Sequence, residues 1–223
     1  MSTGSVTQVP DPLDLILVAH KAFRRDLADI DRAARAAAHG DHDLDAVVGR
    51  HEFFGEMLAW HAYGEDTGIF PALASAAPNI VAAYELDHRG LDVVIDGLAA
   101  AVASADAIDI ARATVGCKFH LDMHLYKEDV DLYPVFARAL SRDAQAAAVR
   151  VFTDALPADR FGDFVRWLFP LADTEDQEKV VRVWHASMPP AMFTGSLRLV
   201  ENALGDEFSV LSARLTDISP EDN

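Results

Sequence analysis

The segment His124-Leu125-Tyr126-Lys127-Glu128-Asp129, closed by Tyr133-Pro134, decides how this chain is read, because it occurs twice. The other copy is His61-Ala62-Tyr63-Gly64-Glu65-Asp66, closed by Phe70-Pro71, so H-x3-E-D-x3-[FY]-P is an internal repeat with a spacing of 63 residues. On a helix, residues i and i+4 share a face with Cβ atoms ~5–6 Å apart, so one imidazole and one carboxylate can reach the same metal ion. A lone H-x3-E is weak, since it often arises by accident as a solvated pair. Two copies that share the flanking acid and the aromatic-Pro pair are not accidental, and they point to a duplicated site.

Outward from the repeat, apolar residues recur at steps of three and four. Leu13, Ile16, His20, Phe23, Leu27, Ile30 and Ala34 form the inward stripe of a first helix, which Gly40-Asp41 ends. A second stripe runs Leu44, Val47, His51, Phe54, Leu58, His61 and Glu65, and Gly68 and Pro71 are expected to stop it. A third helix opens after Pro78-Asn79 with Val81, Tyr84, His88, Leu91, Ile95, Leu98 and Val102 facing inward. The fourth follows Asp106 with Ile110, Thr114, Cys117, Leu121, His124 and Glu128, and is expected to stop near Pro134. The spacing therefore predicts an all-α fold: an up-down-up-down four-helix bundle over 12–136 with a C-terminal helical extension over 141–215. Within that extension, helices near 141–155, 158–169, 174–187 and 190–215 are separated by Pro157, Pro170 and Pro189-Pro190, and their stripes read as packing surface against the bundle or a second subunit. Residues 216–223 look frayed.

In such a bundle the height of each polar core residue follows from its distance to a helix end. His20 and His88 lie roughly ten residues after the starts of their helices and His61 and His124 roughly ten before the prolines, which puts all four at one level, with Glu65 and Glu128 a turn nearer the end. Bare carboxylates in a bundle core cost many kcal/mol, so the six groups must compensate one another or share cations. Four imidazoles and two carboxylates without thiolate suit iron, manganese or zinc. The repeat suits a dinuclear site in which Glu65 and Glu128 bridge, His20 and His61 serve one ion and His88 and His124 the other, the ions ~3.5–4 Å apart.

Composition narrows the setting. The chain has 223 residues, 51% of them hydrophobic, enough to bury a large core. A formal charge of -17 argues against nucleic acid or an anionic membrane as partner. The single cysteine, Cys117, excludes a disulfide framework and a four-thiolate site, and it is expected to pack rather than react. No apolar leader or spanning run is present, so a soluble cytoplasmic protein is expected. Of the other histidines, His51 lies ten residues from His61 and reads as a core histidine. His39 and His42 fall at the far end of the bundle and His185 in the extension. His120, one turn from His124, is a candidate for an outer hydrogen bond or a fifth ligand. Tyr84, a turn above His88, is a candidate to shield the open coordination position or to give a proton there, with plain core packing as the alternative. Asp66, Asp92 and Asp129 are the reserve carboxylates should the glutamates not bridge.

The constellation His20, then His61-x3-Glu65, then His88, then His124-x3-Glu128, one element per helix, resembles the hemerythrin-like (HHE cation-binding) family over about residues 12–136. The resemblance implies two iron ions, oxo- or hydroxo-bridged, that meet oxygen, peroxide or nitric oxide. Oxygen-carrying members use a fifth histidine on the third helix, where this chain has Tyr84 and Asp92. The pattern is thus more similar to hemerythrin-like proteins of the bacterial stress-response kind, with a possible extra ligand in Asp92. Di-iron proteins that repair iron-sulfur clusters share the pattern, but many carry an N-terminal cysteine segment missing here. Two functions are expected from this: redox turnover of a small oxidant in an oxidative-stress role, or a non-enzymatic sensor, carrier or iron donor acting through a protein partner or as a homodimer through the C-terminal helices.

Overall fold

A computed structural model describes residues 11–218; the first ten residues and the last five, part of the expected frayed end, lie outside it. Every described element is helical, and no strand occurs among the described residues. The helices are α1 (Asp14–Ala38), α2 (Leu44–Gly64), α3 (Phe70–Leu73), α4 (Pro78–Ser104), α5 (Ala107–Lys127), α6 (Tyr133–Ala139), α7 (Arg142–Asp154), α8 (Phe161–Leu171), α9 (Thr174–Ser187), α10 (Pro190–Leu204) and α11 (Phe208–Ser212). The described residues form two compact units, one of residues 20–161 and one in which residues 11–19 join residues 162–218.

In the unit of residues 20–161, α1, α2, α4 and α5 are the four long helices of the expected bundle. Their starts are set by side chains that take up orphan N–H groups. Asp43 accepts from Asp45 N before α2, Asp106 from Ile108 N and Asp109 N before α5, and Ser141 from Ala144 N before α7. Pro78 opens α4, where a missing N–H costs nothing. Between α1 and α2 the chain turns through Gly40 at φ +82, a conformation glycine adopts without strain. The inward stripes are the buried ones: Phe23, Leu27, Ile30 and Ala34 on α1, Val47, Phe54 and Leu58 on α2, Tyr84, Leu91 and Leu98 on α4, and Ile110, Cys117 and Leu121 on α5.

The aromatic-Pro pairs do not stop their helices. After Gly64 and after Lys127 the backbone enters a π-helical turn, Glu65–Ile69 and Glu128–Leu132, and then returns to α-helix as α3 and α6. The Phe70 N–H bonds to the Glu65 carbonyl and the Tyr133 N–H to the Glu128 carbonyl, each spanning five residues rather than four. A proline inside an α-helix clashes with the carbonyl four residues back; the wider turn makes room, and Pro71 and Pro134 fall in the first turn of the renewed helix. Both π turns start on the repeat's glutamate. α7, the first helix expected in the extension, packs in this unit against the Glu65–Ile69 turn. A Cβ on Gly64 would stand 2.7 Å from Phe152 Cδ2, and one on Gly68 2.7 Å from the Ala148 carbonyl oxygen, so only glycine admits α7 this closely.

The other unit has its own core of Ile16, Val165, Leu168, Phe169, Val180, Val181, Trp184, Phe193, Val200 and Leu211. Pro170 does not separate two helices but sits in the last turn of α8, whose final carbonyls, Phe169 O and Ala172 O, accept from the buried Gln177 side chain. The expected last helix, 190–215, is broken at Gly205, where φ is +55. Arg182 of α9 pairs with Asp217 at 3.0 Å and tethers the end of the described chain.

Candidate metal centre

Six side chains converge inside the bundle unit. His20 comes from α1, His61 from α2, Glu65 from the first π turn, His88 from α4, His124 from α5 and Glu128 from the second π turn, and none is more than 7% exposed. The His20 and His61 Nε2 atoms stand 3.0 Å apart. His61 Nε2 lies 3.5 Å from Glu65 Oε1, while the other oxygen of the same carboxylate, Oε2, lies 3.4 Å from His88 Nε2. Glu128 is divided likewise: Oε2 is 3.6 Å from His20 Nε2, and Oε1 is 3.2 Å from His124 Nε2 and 3.7 Å from His88 Nε2. Each carboxylate thus turns one oxygen to a His20/His61 pair and the other to a His88/His124 pair. Two groups of four, His20-His61-Glu65-Glu128 and Glu65-His88-His124-Glu128, each bring their donor atoms within 4.8 Å of one another.

Protein groups leave this cluster incomplete. Glu65 Oε2, His88 Nε2 and both oxygens of Glu128 are buried without a hydrogen-bond partner, although they face one another. Each such orphan costs about 1–3 kcal/mol. Cations at the two foci would engage all of them, and cis donors about an ion with ~2.1 Å bonds stand ~3 Å apart, close to the contacts above. The charges show the same deficit. Burial and the Glu65 charge push the Glu128 carboxyl well above its ordinary range. Glu65, although buried, is held well below it by His61 and His88. His88 is raised to about 11 against its burial, by Glu128 and Glu65. Burial lowers His20 to about 4 and also lowers His124. Both the Glu128 and the His88 shift favour added positive charge at the place where cations would supply it. Nitrogen and oxygen donors without thiolate fit iron, manganese or zinc.

Carboxylates behind the histidines fix which ring nitrogen faces inward. Asp129 Oδ1 lies 2.7 Å from His20 Nδ1, Asp66 Oδ1 3.0 Å from His88 Nδ1, and Asp87 Oδ2 2.8 Å from His124 Nδ1. Each Nδ1–H donates outward, which leaves the Nε2 lone pair for the cluster. Arg24 anchors Asp129 at 2.6 Å and Lys127 anchors Asp87 at 2.6 Å. The Tyr133 hydroxyl donates to Glu65 Oε1; its acidity is suppressed by burial and the two glutamate charges, so it remains a donor. The rings of Phe23 and Phe152 pack edge-on to His61 at 5.3 and 5.2 Å, and Phe70 lies 5.0 Å from His88.

Other residues singled out in the sequence stand apart. His120 is exposed, its ring against Phe119, and Asp92 is exposed on α4. The Tyr84 hydroxyl donates to the Lys127 carbonyl at 2.7 Å. Asp66 and Asp129 face histidine Nδ1 atoms rather than the space between the glutamates. His51 is buried with Nε2 2.9 Å from Thr114 Oγ1, His39 lies at the far end of α1, and His185 meets Phe193 edge-on in the other unit. Cys117 is buried, its thiol pushed up to about 12 by burial and Asp122. Sequence reasoning gives no role to Asp87 or Phe152. The E-D dipeptide and the aromatic-Pro pair signalled Asp66, Asp129 and Tyr133; nothing in the repeat signalled Asp87, whose counterpart is Ala19.

The model for the hemerythrin HHE cation binding domain matches residues 11–136, more than half of the chain. Among curated proteins, Zinc finger protein BRUTUS of Arabidopsis thaliana is 27% identical over 176 residues, covering 76% of this chain and 14% of its own length. Two BRUTUS-like zinc finger proteins of the same plant are 27% identical over 195 residues, covering 81% and 15%, and 26% identical over 214 residues, covering 91% and 17%. The chain thus spans less than a fifth of these relatives, and the last match must run well beyond residue 136. No solved structure gives a significant match. Among the described residues no helix is long and apolar enough to cross a membrane.

Proposed function

From the premise that this chain belongs to the hemerythrin HHE cation-binding family, we propose that it is a non-haem di-iron protein directed at a small oxidant: peroxide, nitric oxide or oxygen. His20 and His61 would hold one ion and His88 and His124 the other, with Glu65 and Glu128 offering an oxygen to each. The observation that supports this most is that each glutamate directs one oxygen to each histidine pair, while three of the four carboxylate oxygens of the two glutamates, and His88 Nε2, have no hydrogen-bond partner. Iron bound there supplies one-electron redox chemistry per ion and open positions for a diatomic or peroxide ligand. The chain supplies the rest. Asp129, Asp66 and Asp87 hold three imidazoles in the tautomer that points Nε2 inward. Tyr133 keeps Glu65 oriented by its hydroxyl, and the rings of Phe23, Phe70 and Phe152 keep bulk water from the histidines. The six converging side chains are each at most 7% exposed, which is why a small oxidant is favoured.

Full-length protein reconstituted anaerobically with ferrous iron should hold two irons per chain, and stopped-flow mixing with peroxide, nitric oxide and oxygen should oxidise or ligate them. One iron per chain, or zinc alone after growth in iron-rich medium, would sink the reading. A second reading, a non-enzymatic sensor, carrier or iron donor working through a protein partner, is favoured by one observation: similarity that extends past the bundle recurs as a fraction of much longer proteins named for zinc fingers. Two irons that react with none of the three oxidants at a useful rate would favour it.

A further inference from the structure

The second π turn meets a phenol from a neighbouring helix at both of its ends. Tyr84, buried on α4, donates its hydroxyl to the Lys127 carbonyl at 2.7 Å, and Lys127 is the residue just before the turn Glu128–Leu132. Burial and the charges of Asp131, Glu128 and Asp87 push the pKa of this phenol up, while the N–H of Leu132, the last residue of the turn, acts on it the other way. The phenol therefore stays a donor, with a carbonyl from one end of the turn and an amide from the other beside its oxygen. Single π turns inside α-helices are rare and occur frequently at functional sites, so what holds one in shape matters. The first π turn has a different support: α7 lies across Gly68, whose place in the second repeat is taken by the exposed Asp131. Conversely, the residue four before His20, in the register that Tyr84 has to His88, is Ile16, which has no hydroxyl.

The turn decides what faces the cluster. In an α-helix, residues five apart stand ~140° apart around the axis. Here the Tyr133 N–H reaches the Glu128 carbonyl, five residues back, which brings both residues to one side of the helix. The Glu128 carboxylate then lies among the histidines, and the Tyr133 hydroxyl lies on Glu65. We propose that Tyr84 is a positioning residue for the metal centre: its hydroxyl keeps the second turn π-helical and so places the Glu128 carboxylate together with the phenol that grips Glu65. Without that hydroxyl the second turn relaxes toward α geometry, which cannot keep Glu128 and Tyr133 on one side. On the two-ion reading, on which this consequence rests, both ions then lose part of their hold. The first turn, supported by α7, keeps its shape.

Tyr84→Phe keeps the ring and its packing and removes only the hydroxyl. Amide hydrogen exchange of the metal-free full chain, read residue by residue by NMR, should show the Leu132 and Tyr133 amides exchanging ~10-fold faster than in wild type, with Ile69 and Phe70 at the matching places of the first turn nearly unchanged. Cobalt(II), titrated against a chelator, should bind ~10–100-fold more weakly and with an altered visible spectrum. Unchanged exchange at Leu132 and Tyr133 overturns the proposal. So does an equal acceleration in both turns, which a hydroxyl that served only overall stability would give, and so does a loosened turn that leaves cobalt affinity and spectrum as in wild type. A wild type that takes up no cobalt removes the two-ion reading instead, and the exchange comparison alone then decides whether Tyr84 holds the turn.

Discussion

Replacing Gly68 by alanine probes whether α7 belongs to the bundle. The added Cβ would stand 2.7 Å from the Ala148 carbonyl oxygen and 2.8 Å from the Phe152 amide nitrogen. Both are backbone atoms of α7, so no side-chain rotation relieves the clash, and the helix must retreat by roughly half an ångström or more. Overpacking of this kind costs about 1–3 kcal/mol, and rigid neighbours place it in the upper half. Alanine recovers about 1 kcal/mol of helix propensity relative to glycine, leaving a net loss of roughly 1–2 kcal/mol. Gly55, on α2 with nothing within 4 Å of its Cβ position, is the control: alanine there should stabilise by about 1 kcal/mol. The gap between the two variants is therefore ~2–3 kcal/mol, or roughly 5–10 °C in Tm for a chain of this size. Thermal and urea unfolding of the metal-free proteins, followed by circular dichroism, reads it directly. If Gly68→Ala matches Gly55→Ala, α7 does not sit on the π turn as described.

Three further outcomes are expected. In the proposed di-iron site Glu65→Ala and Glu128→Ala would each remove a ligand from both ions, so they should lose most iron by elemental analysis. His20→Ala and His88→Ala should keep a substantial share and His51→Ala and His185→Ala nearly all; glutamate variants with two irons would refute the bridge. Asp87→Asn, Asp66→Asn and Asp129→Asn remove the acceptors behind three histidines and should weaken metal binding about 10–100-fold in competition titrations with a chelator, leaving secondary structure intact; unchanged affinity would refute their positioning role. Burial, helped by Arg50, lowers His51 to about 4, so between pH 6.5 and 4 the unfolded chain takes a proton that the folded chain refuses. Its contribution is complete above about pH 6.5 and falls with pH, so wild type should lose roughly 2 kcal/mol more than His51→Leu between pH 7 and 4.5 in urea unfolding of metal-free protein.

The bundle and the six converging residues were legible because a 3.6-residue period reports which residues share a face, and every histidine and glutamate placed on an inward stripe is buried. The π turns were not. A proline after an amphipathic run reads as a stop, and only backbone geometry shows that an extra residue per turn lets the helix pass it. Periodicity also fails at the margins of a face. His120 and Asp92 each lie four residues from a buried histidine, a rotation of ~40°, and that is enough to put them in solvent. Tyr84 was placed correctly in the core, but its hydroxyl direction depends on a neighbouring helix and lands on the Lys127 carbonyl. Asp87 reaches His124 across two helices, a contact that no local pattern encodes. The docking of α7 left a trace that could have been read: the first repeat has Gly64 and Gly68 where the second has Lys127 and Asp131.

That last difference means the two halves of the centre are not interchangeable. Duplication delivers the donors twice, histidine for histidine and glutamate for glutamate, but each surrounding only once. On the His61 side a bare backbone strip is roofed by a helix and an aromatic ring. On the His124 side the same register carries a lysine–aspartate pair reaching toward water, with Asp87 where the other half has alanine. One carboxylate is gripped by a phenol, Tyr133 on Glu65, whereas the residue matching Tyr133 is Phe70, which has no hydroxyl to give. Two ions held by twin ligand sets would therefore experience unlike electric fields. A pair of ions held by near-identical ligand sets in such unlike fields would fill in order and differ in potential, a first ion and a second, although the sequence motif is written twice.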